Sequence, residues 1–390
     1  MKTADRMRLL PPYLFAELDR LKTEARARGV DVVDLGVGDP EQPTPAAVVD
    51  RLCREAGDPA NHRYPAYEGS ALFRRTVAGY YQRRFGVRLD HDREVLAVIG
   101  SKEGISHLIW AFVDPGDVVL VPDPAYPVYR SQTLLAGGRP VLMPLEAGRG
   151  FFPDFGALRR EDLERARIMF LNYPNNPTAA VATREQLAEA VAFARRHDIL
   201  LCHDAAYVEM TYDGVVAPSV LEVPGAAEVA LEFYSLSKPF NMTGWRIGAA
   251  VGNTVAVEAL GRIKNNTDSG QFTAVQHAAV EALGGDWAES FIREMNAIYR
   301  RRRDLVVSHL SELGWEFQVP RGTFYVWAKP PGDRGSAEFA SELLERTGVL
   351  VPPGTAYGPA GEGYVRIALC IDDRRLEEGL GRLKEGQQGF

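Results

Sequence analysis

The chain has 390 residues, which is too long for a single small module and predicts about two or three structural units. Hydrophobic residues make up 46% and charged residues 25% of it, values that exclude disordered, collagen-like and membrane-spanning compositions. The net charge of −7 gives no overall positive field, so we expect neither a nucleic-acid partner nor a membrane partner. The three cysteines lack CxxC spacing, so we expect a reducing cytoplasm, no disulfide framework and no metal.

Short apolar runs alternate with longer amphipathic ones between residues 46 and 285, which is typical of a mostly parallel sheet covered by helices. Residues 101–112 and 184–198 predict two of these helices, the second opened by Thr183 as its N-cap. We therefore predict an α/β fold with a large, mostly parallel seven-stranded sheet. Its strands in chain order are EVLAVIG, VVLVP, RPVLMPL, RIMFLNYP, ILLCHD, ALEFYS and WRIGAAVG.

The C-terminal part predicts a smaller α+β unit. A long helix over residues 286–314 precedes the strand TFYVWAK, a helix, the short strands VLVPP and YVRIAL, and a last helix. The basic run Arg300 to Arg303 lies in the long helix and is interpreted as a solvated helix face. We predict an N-terminal arm and part of the small domain in residues 1–45, a large domain in residues 46–285 and a small domain in residues 286–390.

The segment SLSKPFNMTGWRIG, residues 235–248, joins two predicted strands and brings two hydroxyls, a lysine and an arginine together. Ser235, Ser237 and Arg246 could donate to a phosphate. Lys238 would stand beside that anion, at the carboxyl end of a strand, where desolvation favours Schiff-base formation with a carbonyl. The alternative is a turn that carries a surface lysine and arginine.

The segment HDAAY places Asp204 at the end of the apolar strand ILLC and Tyr207 three residues later. If a ring cofactor lies between the phosphate site and the lysine, Asp204 could hold a proton on a pyridine nitrogen. Tyr207 could then bind the phenolic oxygen of the ring. The alternative for Asp204 is a helix-cap or turn acceptor, and His203 is interpreted as structural.

The segment IGSKEG is a strand-to-helix junction with two glycines, a hydroxyl and free backbone N–H groups, a pattern that can bind anions. Lys102 in it is either a phosphate or substrate ligand or a solvated lysine.

In NYPNNPTAAV, Asn176 lies in a rigid turn and could donate to a ring oxygen or a carboxylate. Arg366 lies among apolar residues of YVRIAL and needs a carboxylate partner, for which an internal Asp or Glu is locally favoured over a substrate.

Together these five segments resemble the class I and II aminotransferases, pyridoxal 5'-phosphate enzymes of the aspartate aminotransferase fold, in the same order along nearly the whole chain. The resemblance implies the type I fold of pyridoxal-phosphate enzymes and ping-pong transfer of an amino group between an amino acid and a 2-oxo acid. It implies Lys238 as the catalytic residue that carries the cofactor. The other cofactor contacts that it implies are Asp204 on the pyridine nitrogen, Asn176 and Tyr207 on the ring oxygen, Tyr126 stacked on the ring, and Ser101, Lys102, Ser235, Ser237 and Arg246 around the phosphate.

Within this family, PPYLFAEL, DLGVGDPEQPTP, EFYSLSK and NNTDSGQF are most similar to the LL-diaminopimelate aminotransferase branch. That likeness implies lysine biosynthesis, with LL-diaminopimelate and 2-oxoglutarate as substrates. Family members are homodimers with shared active sites, so Tyr64 is expected to reach the phosphate in the partner subunit. The substrate contacts that the likeness implies are Tyr13, Gly38, Lys102, Asn176 and Arg366, the last on the α-carboxylate; for Tyr13 and Tyr64 the alternative is an aromatic ring that packs a loop.

Two departures from the family pattern bear on the site. Ala179 stands where most relatives have glycine, and a positive φ there would cost about 1 kcal/mol. Tyr67 and Glu68 match only approximately the substrate-specific glutamate of some diaminopimelate enzymes.

The alternative functions for the chain are an alanine or broad-specificity aminotransferase, a β-eliminating lyase on the same cofactor, and the effector domain of a transcription regulator.

Overall fold

The computed structural model describes residues 1–11 and 13–387 and contains twelve α-helices and twelve strands within those ranges. The helices are α1 Leu14–Ala27, α2 Ala46–Ala56, α3 Ala71–Phe85, α4 Ser101–Phe112, α5 Val128–Leu135, α6 Arg160–Leu163, α7 Arg184–His197, α8 Thr254–Thr267, α9 Thr273–Gly284, α10 Ala288–Glu312, α11 Ser336–Thr347 and α12 Asp373–Gln387. The strands are β1 Val33–Asp34, β2 Val95–Val98, β3 Val118–Asp123, β4 Arg139–Pro144, β5 Ala166–Leu171, β6 Leu200–Asp204, β7 Ala230–Ser235, β8 Gly248–Gly252, β9 Glu316–Phe317, β10 Tyr325–Lys329, β11 Val349–Leu350 and β12 Val365–Ala368.

The large sheet has seven strands in the order β2-β8-β7-β6-β5-β3-β4, and all seven strands predicted from the sequence are confirmed. Only β8 runs antiparallel to its neighbours, β2 and β7. Strands β2, β3, β7 and β8 are buried along their whole length, which explains their near-continuous apolar sequences. The carboxyl ends of the parallel strands therefore meet at one edge, where an α/β sheet places its ligands.

Local sequence signals set the helix starts. Thr183 caps α7 with a reciprocal pair of bonds, since its Oγ1 accepts from the N–H of Gln186 while Oε1 of Gln186 accepts from the N–H of Thr183. The predicted helix over residues 101–112 is confirmed as α4, which begins directly after Gly100. Among the described residues, no helix combines the length and hydrophobicity that a bilayer crossing requires.

The C-terminal elements form an antiparallel sheet in the order β12-β10-β9, flanked by α10, α11 and α12. In a separate two-stranded sheet, β1 pairs in parallel with β11, with Val33 opposite Val349. The N-terminal segment is thus bound to the C-terminal part of the chain. The domain boundaries at residues 45 and 285 stay a prediction.

The arginine run of α10 is not a uniformly solvated face, so that interpretation is wrong for two of its members. Arg302 is buried and donates to Asp373 and Glu41. Arg303 is also buried and donates to Asp213. Acids that are distant in the chain neutralise these guanidinium groups, and the sequence of the helix alone does not reveal such partners.

Candidate active site

A cavity of about 200 Å³ opens at the edge of the large sheet where its parallel strands end. Asp204 and Ser235 are the last residues of β6 and β7, and Ser101 begins the helix that follows β2. All predicted site residues line this cavity except Tyr13, Tyr64 and Arg366. The lining residues are Gly38, Ser101, Lys102, Tyr126, Asn172, Asn176, Asp204, Ala206, Tyr207, Ser235, Ser237, Lys238, Thr243, Arg246 and Tyr325.

One corner of the cavity has the donor set of an anion site. The Oγ of Ser101 is buried at the N-terminus of α4 and has no hydrogen-bond partner in the described part of the chain. Gly100 has φ = 77°, and a Cβ there would lie 2.4 Å from Nη2 of Arg246, so only glycine lets the guanidinium come this close. Ser235 and Ser237 add two largely buried serines. A phosphate fits this combination of hydroxyls, guanidinium and helix N-terminus.

Asp204 faces the cavity from the middle of the sheet with one free oxygen. Its Oδ2 accepts a hydrogen bond of 2.7 Å from the hydroxyl of Tyr129, whereas its buried Oδ1 has no hydrogen-bond partner among the residues that the structure describes. Burial raises the pKa of this carboxyl, and the hydrogen bond from Tyr129 opposes that rise. A ring N–H group placed at Oδ1 would satisfy the free oxygen.

Two tyrosine hydroxyls meet on the side of the cavity next to the small sheet. The hydroxyl oxygens of Tyr207 and Tyr325 are 3.2 Å apart. Burial raises the pKa of Tyr207 well above 10, so its hydroxyl stays protonated and can donate at neutral pH. Tyr325 also packs against Gly38, where a Cβ would overlap the hydroxyl of Tyr325. Gly38 therefore admits the second tyrosine to the cavity wall.

Lys238 lies just after β7 and reaches the N-terminal segment. Its Nζ donates to the carbonyl oxygen of Gly38 at 3.0 Å and lies 5.4 Å from the ring centroid of Phe324. Burial lowers the pKa of the Lys238 ammonium group, because the cavity wall replaces water around the charge. A lysine in this state gives up its proton more easily and becomes a nucleophile.

The turn after β5 holds Asn176 at the cavity. The N–H of Asn176 donates to Oδ1 of Asn172 at 2.8 Å, and Asn172 in turn donates to the carbonyl of Asp204 at 2.7 Å. Ala179 has φ = 61°, so the positive φ considered for this alanine is confirmed. The turn nevertheless keeps Asn176 in the cavity wall, because the buried side-chain oxygens of Asn172 and Asn175 accept hydrogen bonds from backbone N–H groups of the turn.

Arg366 on β12 is fully buried and has no acidic partner among the described residues. The prediction that an internal Asp or Glu pairs with Arg366 is therefore wrong. Its guanidinium donates to Oδ1 of Asn176 at 2.9 Å and to the carbonyl of Gly36 at 2.5 Å, while its Nε has no partner. The rings of Tyr325 and Tyr357 cover it, with centroids 3.9 and 4.9 Å from Cζ. A buried cation with only neutral partners is suited to receive an external carboxylate.

The remaining two predicted residues lie outside the cavity. Tyr13 is half-exposed, and its hydroxyl accepts from Nζ of Lys102 at 3.1 Å, which places it at the cavity mouth. Tyr64 is 88% exposed and lines a different, open cleft together with Phe272. The single chain therefore brings Tyr13 to the site and leaves Tyr64 away from it.

A second cluster of titratable groups lies behind the anion corner. Glu103, His107 and Asp268 each offer one ligand atom within 4.8 Å of the others. However, Nζ of the buried Lys264 donates to Glu103 at 3.2 Å and to Asp268 at 3.1 Å. The ammonium group already supplies the cation that these carboxylates need, so the cluster supports the start of α4 rather than a metal.

Sequence reasoning missed Tyr129 and Tyr325. Tyr129 follows Tyr126 by three residues in DPAYPVY, a spacing that places two aromatic rings near the same strand end. Tyr325 lies in TFYVWAK, where the alternation of a strand gave no sign that the hydroxyl enters a cavity. Both are tyrosines whose hydroxyl groups have hydrogen-bond partners that are distant in the chain.

Comparisons with known proteins agree with this geometry. Residues 30–383 match the family model described as aminotransferase class I and II. The LL-diaminopimelate aminotransferase of Moorella thermoacetica is 54% identical over 384 residues, which cover 98% of each chain. Among solved structures, substrate-bound BacF from Bacillus subtilis superposes with a TM-score of 0.95 at 36% identity, covering 99% of this chain and 98% of that one. The aspartate aminotransferase of Thermus thermophilus with maleate gives a TM-score of 0.92 at 31% identity, over 99% and 100% of the two chains.

Proposed function

The chain belongs to the class I and II aminotransferases, a family that depends on pyridoxal 5'-phosphate, and we propose that its substrates are LL-diaminopimelate and 2-oxoglutarate in lysine biosynthesis. LL-diaminopimelate is supported by the names of relatives that share about half of its residues over nearly the whole chain, and 2-oxoglutarate by the resemblance of its sequence motifs to that branch. The aminotransferase chemistry rests on one observation in particular. Among the described residues, a buried arginine without an acidic partner lies beside a cavity that holds a lysine of lowered pKa.

The cofactor phosphate is held at the anion corner. Ser101, Ser235, Ser237 and Arg246 donate to its oxygens, and the N-terminus of α4 adds its partial positive charge. Lys102 lies in the first turn of the same helix and adds a positive charge near this end of the cavity. The free hydroxyl of Ser101 supports this assignment, because a phosphate oxygen satisfies it.

Tyr126 lines the cavity and would stack on the cofactor ring, and the residues described next would bind its polar atoms. Asp204 accepts from the ring nitrogen through its free Oδ1. Asn176 and Tyr207 donate to the ring oxygen. When bound, pyridoxal phosphate carries the amino group from donor to acceptor and withdraws electrons from the substrate Cα.

Lys238 serves two purposes. Its Nζ is the attachment point of the cofactor, and its lowered pKa makes the amine available as a base. When it is not attached to the cofactor, Nζ would take the proton from the substrate Cα. The reaction is ping-pong, because the 2-oxo acid product leaves before the second substrate enters.

Arg366 binds the α-carboxylate of both substrates, assisted by Asn176 and by the backbone at Gly38. The planar guanidinium suits a bidentate carboxylate contact. Lys102 and Tyr13, joined at the cavity mouth, approach the far end of the substrate. A positive charge at this position favours a donor with a second carboxylate, as LL-diaminopimelate has.

The functional enzyme is a homodimer in the cytoplasm, in which Tyr64 reaches the phosphate in the partner subunit. The exposure of Tyr64 and of Phe272, which line one open cleft, supports an interface at this surface. With the second subunit in place, the cavity gains the tyrosine that a single chain keeps away from it.

A single-turnover experiment tests the substrate. Purified enzyme loaded with pyridoxal phosphate is mixed separately with LL-diaminopimelate, glutamate, alanine and aspartate, and loss of the absorption band of the bound cofactor is followed. We expect LL-diaminopimelate and glutamate to convert the cofactor much faster than alanine or aspartate. Preference for alanine would instead assign a broad-specificity enzyme, and release of ammonia with each turnover would assign a β-eliminating lyase.

A further inference from the structure

Tyr129 is a fully buried tyrosine on α5 that does not itself line the cavity. Its ring stacks on Phe170 of β5, with centroids 4.8 Å apart and planes inclined by 14°. It meets the ring of Tyr126 edge to face at 6.0 Å. These contacts hold the phenol rigidly between the sheet and the cavity wall.

The hydroxyl of Tyr129 reaches one of the two carboxylate oxygens of Asp204, a residue that lines the cavity. It donates to Oδ2 at 2.7 Å, and Oδ1 stays without a partner. Within the described part of the chain, no lysine or arginine forms an ion pair with Asp204. Among side chains, the carboxylate thus has a single hydrogen-bond donor, and that donor is Tyr129.

We propose that Tyr129 is a positioning residue that holds Asp204 ionised and aims its Oδ1 at the ring nitrogen of the cofactor. This inference rests on the proposed function, since it concerns how the chain recognises pyridoxal phosphate. A buried carboxylate that forms no ion pair tends to take up a proton, and a proton on Asp204 would remove the acceptor that the ring N–H requires. The hydrogen bond from Tyr129 stabilises the charged form and prevents the carboxyl plane from rotating.

Because Asp204 is buried, its charged form depends on the hydrogen bond from Tyr129. Burial raises the pKa of Asp204, and the bond from Tyr129 is the main effect that lowers it again. Replacing the phenol by phenylalanine keeps the stacked ring and removes only the donor. The variant would leave Oδ2 buried and unpaired, which costs more than the bond itself is worth.

The test compares two cofactors on the wild-type protein and on Tyr129→Phe. One is pyridoxal 5'-phosphate, and the other is its 1-deaza analogue, in which a C–H group replaces the ring nitrogen. Dissociation constants are measured on apoprotein by equilibrium dialysis. We expect Tyr129→Phe to weaken pyridoxal phosphate about tenfold and the deaza analogue less than twofold. Tyr299→Phe is the matched control, because its buried hydroxyl has no hydrogen-bond partner.

A double-mutant cycle with Asp204→Asn provides the second readout. In the Asp204→Asn background, Tyr129→Phe should change the affinity for pyridoxal phosphate less than twofold, because the carboxylate that it serves is gone. Equal weakening of both cofactors by Tyr129→Phe, or additive effects in the cycle, would overturn the inference and leave Tyr129 a packing residue. If the wild-type protein binds neither cofactor, the proposed function itself fails.

Discussion

Arg366 and Asn176 are joined by a hydrogen bond that links the two main sheets, with Nη1 of Arg366 donating to Oδ1 of Asn176 at 2.9 Å. Arg366 belongs to β12 of the small sheet, and Asn176 belongs to the turn after β5 of the large sheet. The two side chains proposed to bind the substrate carboxylate are therefore already paired. A carboxylate that enters needs to replace only neutral partners of the guanidinium.

The first prediction concerns this arginine. Arg366→Ala should raise the KM for the amino donor about a hundredfold, because the bidentate contact with the α-carboxylate is lost. Steady-state kinetics with LL-diaminopimelate measure the change. Arg160→Ala removes an arginine whose side chain is 91% exposed and should leave KM unaltered. An unaltered KM in Arg366→Ala would remove its assigned role.

The second prediction separates attachment of the cofactor from binding of its phosphate. Lys238→Ala should abolish turnover, because the chain has lost both the attachment point and the base. The apoprotein should still bind pyridoxal phosphate through the donors at Ser101 and Arg246, detectable by dialysis. Near-normal transamination by this variant would contradict the assignment of Lys238.

The third prediction tests whether the active site is shared between subunits. Tyr64→Ala and Lys238→Ala should each be nearly inactive as homodimers. After reassortment of subunits, a mixed dimer contains one site with both native residues, so about a quarter of the wild-type activity should return. Activity after mixing that stays at the average of the two parents would show that Tyr64 does not serve the partner subunit.

The fourth prediction concerns backbone strain at Ala179, whose φ is 61°. Ala179→Gly should stabilise the protein by about 1 kcal/mol, since glycine adopts this conformation without a Cβ clash. Ala182 is a buried alanine in the same loop that is not among the residues with positive φ. Ala182→Gly should therefore destabilise. Urea unfolding measures both, and equal shifts of the two midpoints would argue against strain.

The fifth prediction is a pH dependence at the N-terminal strand. Arg375 and Arg382 of α12 donate to Asp31 and lower the pKa of this carboxyl from 3.8 to about 2. A depressed pKa in the folded state stabilises the fold above the pKa of the unfolded chain, and this contribution is lost as the pH falls through about 2. Asp31→Asn should thus have a lower urea midpoint than wild type at about pH 6, with a gap that closes towards about pH 2. Asp50→Asn, at an exposed position of α2, is the control and should have the same urea midpoint as wild type at both pH values.

Local patterns were sufficient for most of the fold. Apolar runs predicted all seven strands of the large sheet, and in the inner strands these runs are near-continuous because both faces are buried. Capping chemistry predicted the start of α7 at Thr183, since both partners of that capping box lie within four residues. The two-residue strands β1 and β9 were not predicted, because they are too short to show an alternation.

Site residues that come directly after a predicted strand could be predicted from the sequence. Those whose role depends on partners distant in the chain could not. Lys238, Asp204 and Ser101 each follow an apolar run, and the edge of a parallel sheet brings such residues together. The environment of Arg366 could not be predicted, since its acceptors belong to Asn176 and Gly36 in other parts of the chain. The donor to Asp204 was missed for the same reason.

The pairing of β1 with β11 has a consequence for synthesis of the enzyme. Val33 finds its partner, Val349, only when almost the whole chain has left the ribosome. Until then the strand that precedes Gly38 lacks its partner, and the carbonyl to which Nζ of Lys238 donates is not held from that side. The large sheet can form earlier, but the amine and its surroundings are completed last. A nascent chain therefore cannot begin catalysis before translation is nearly finished.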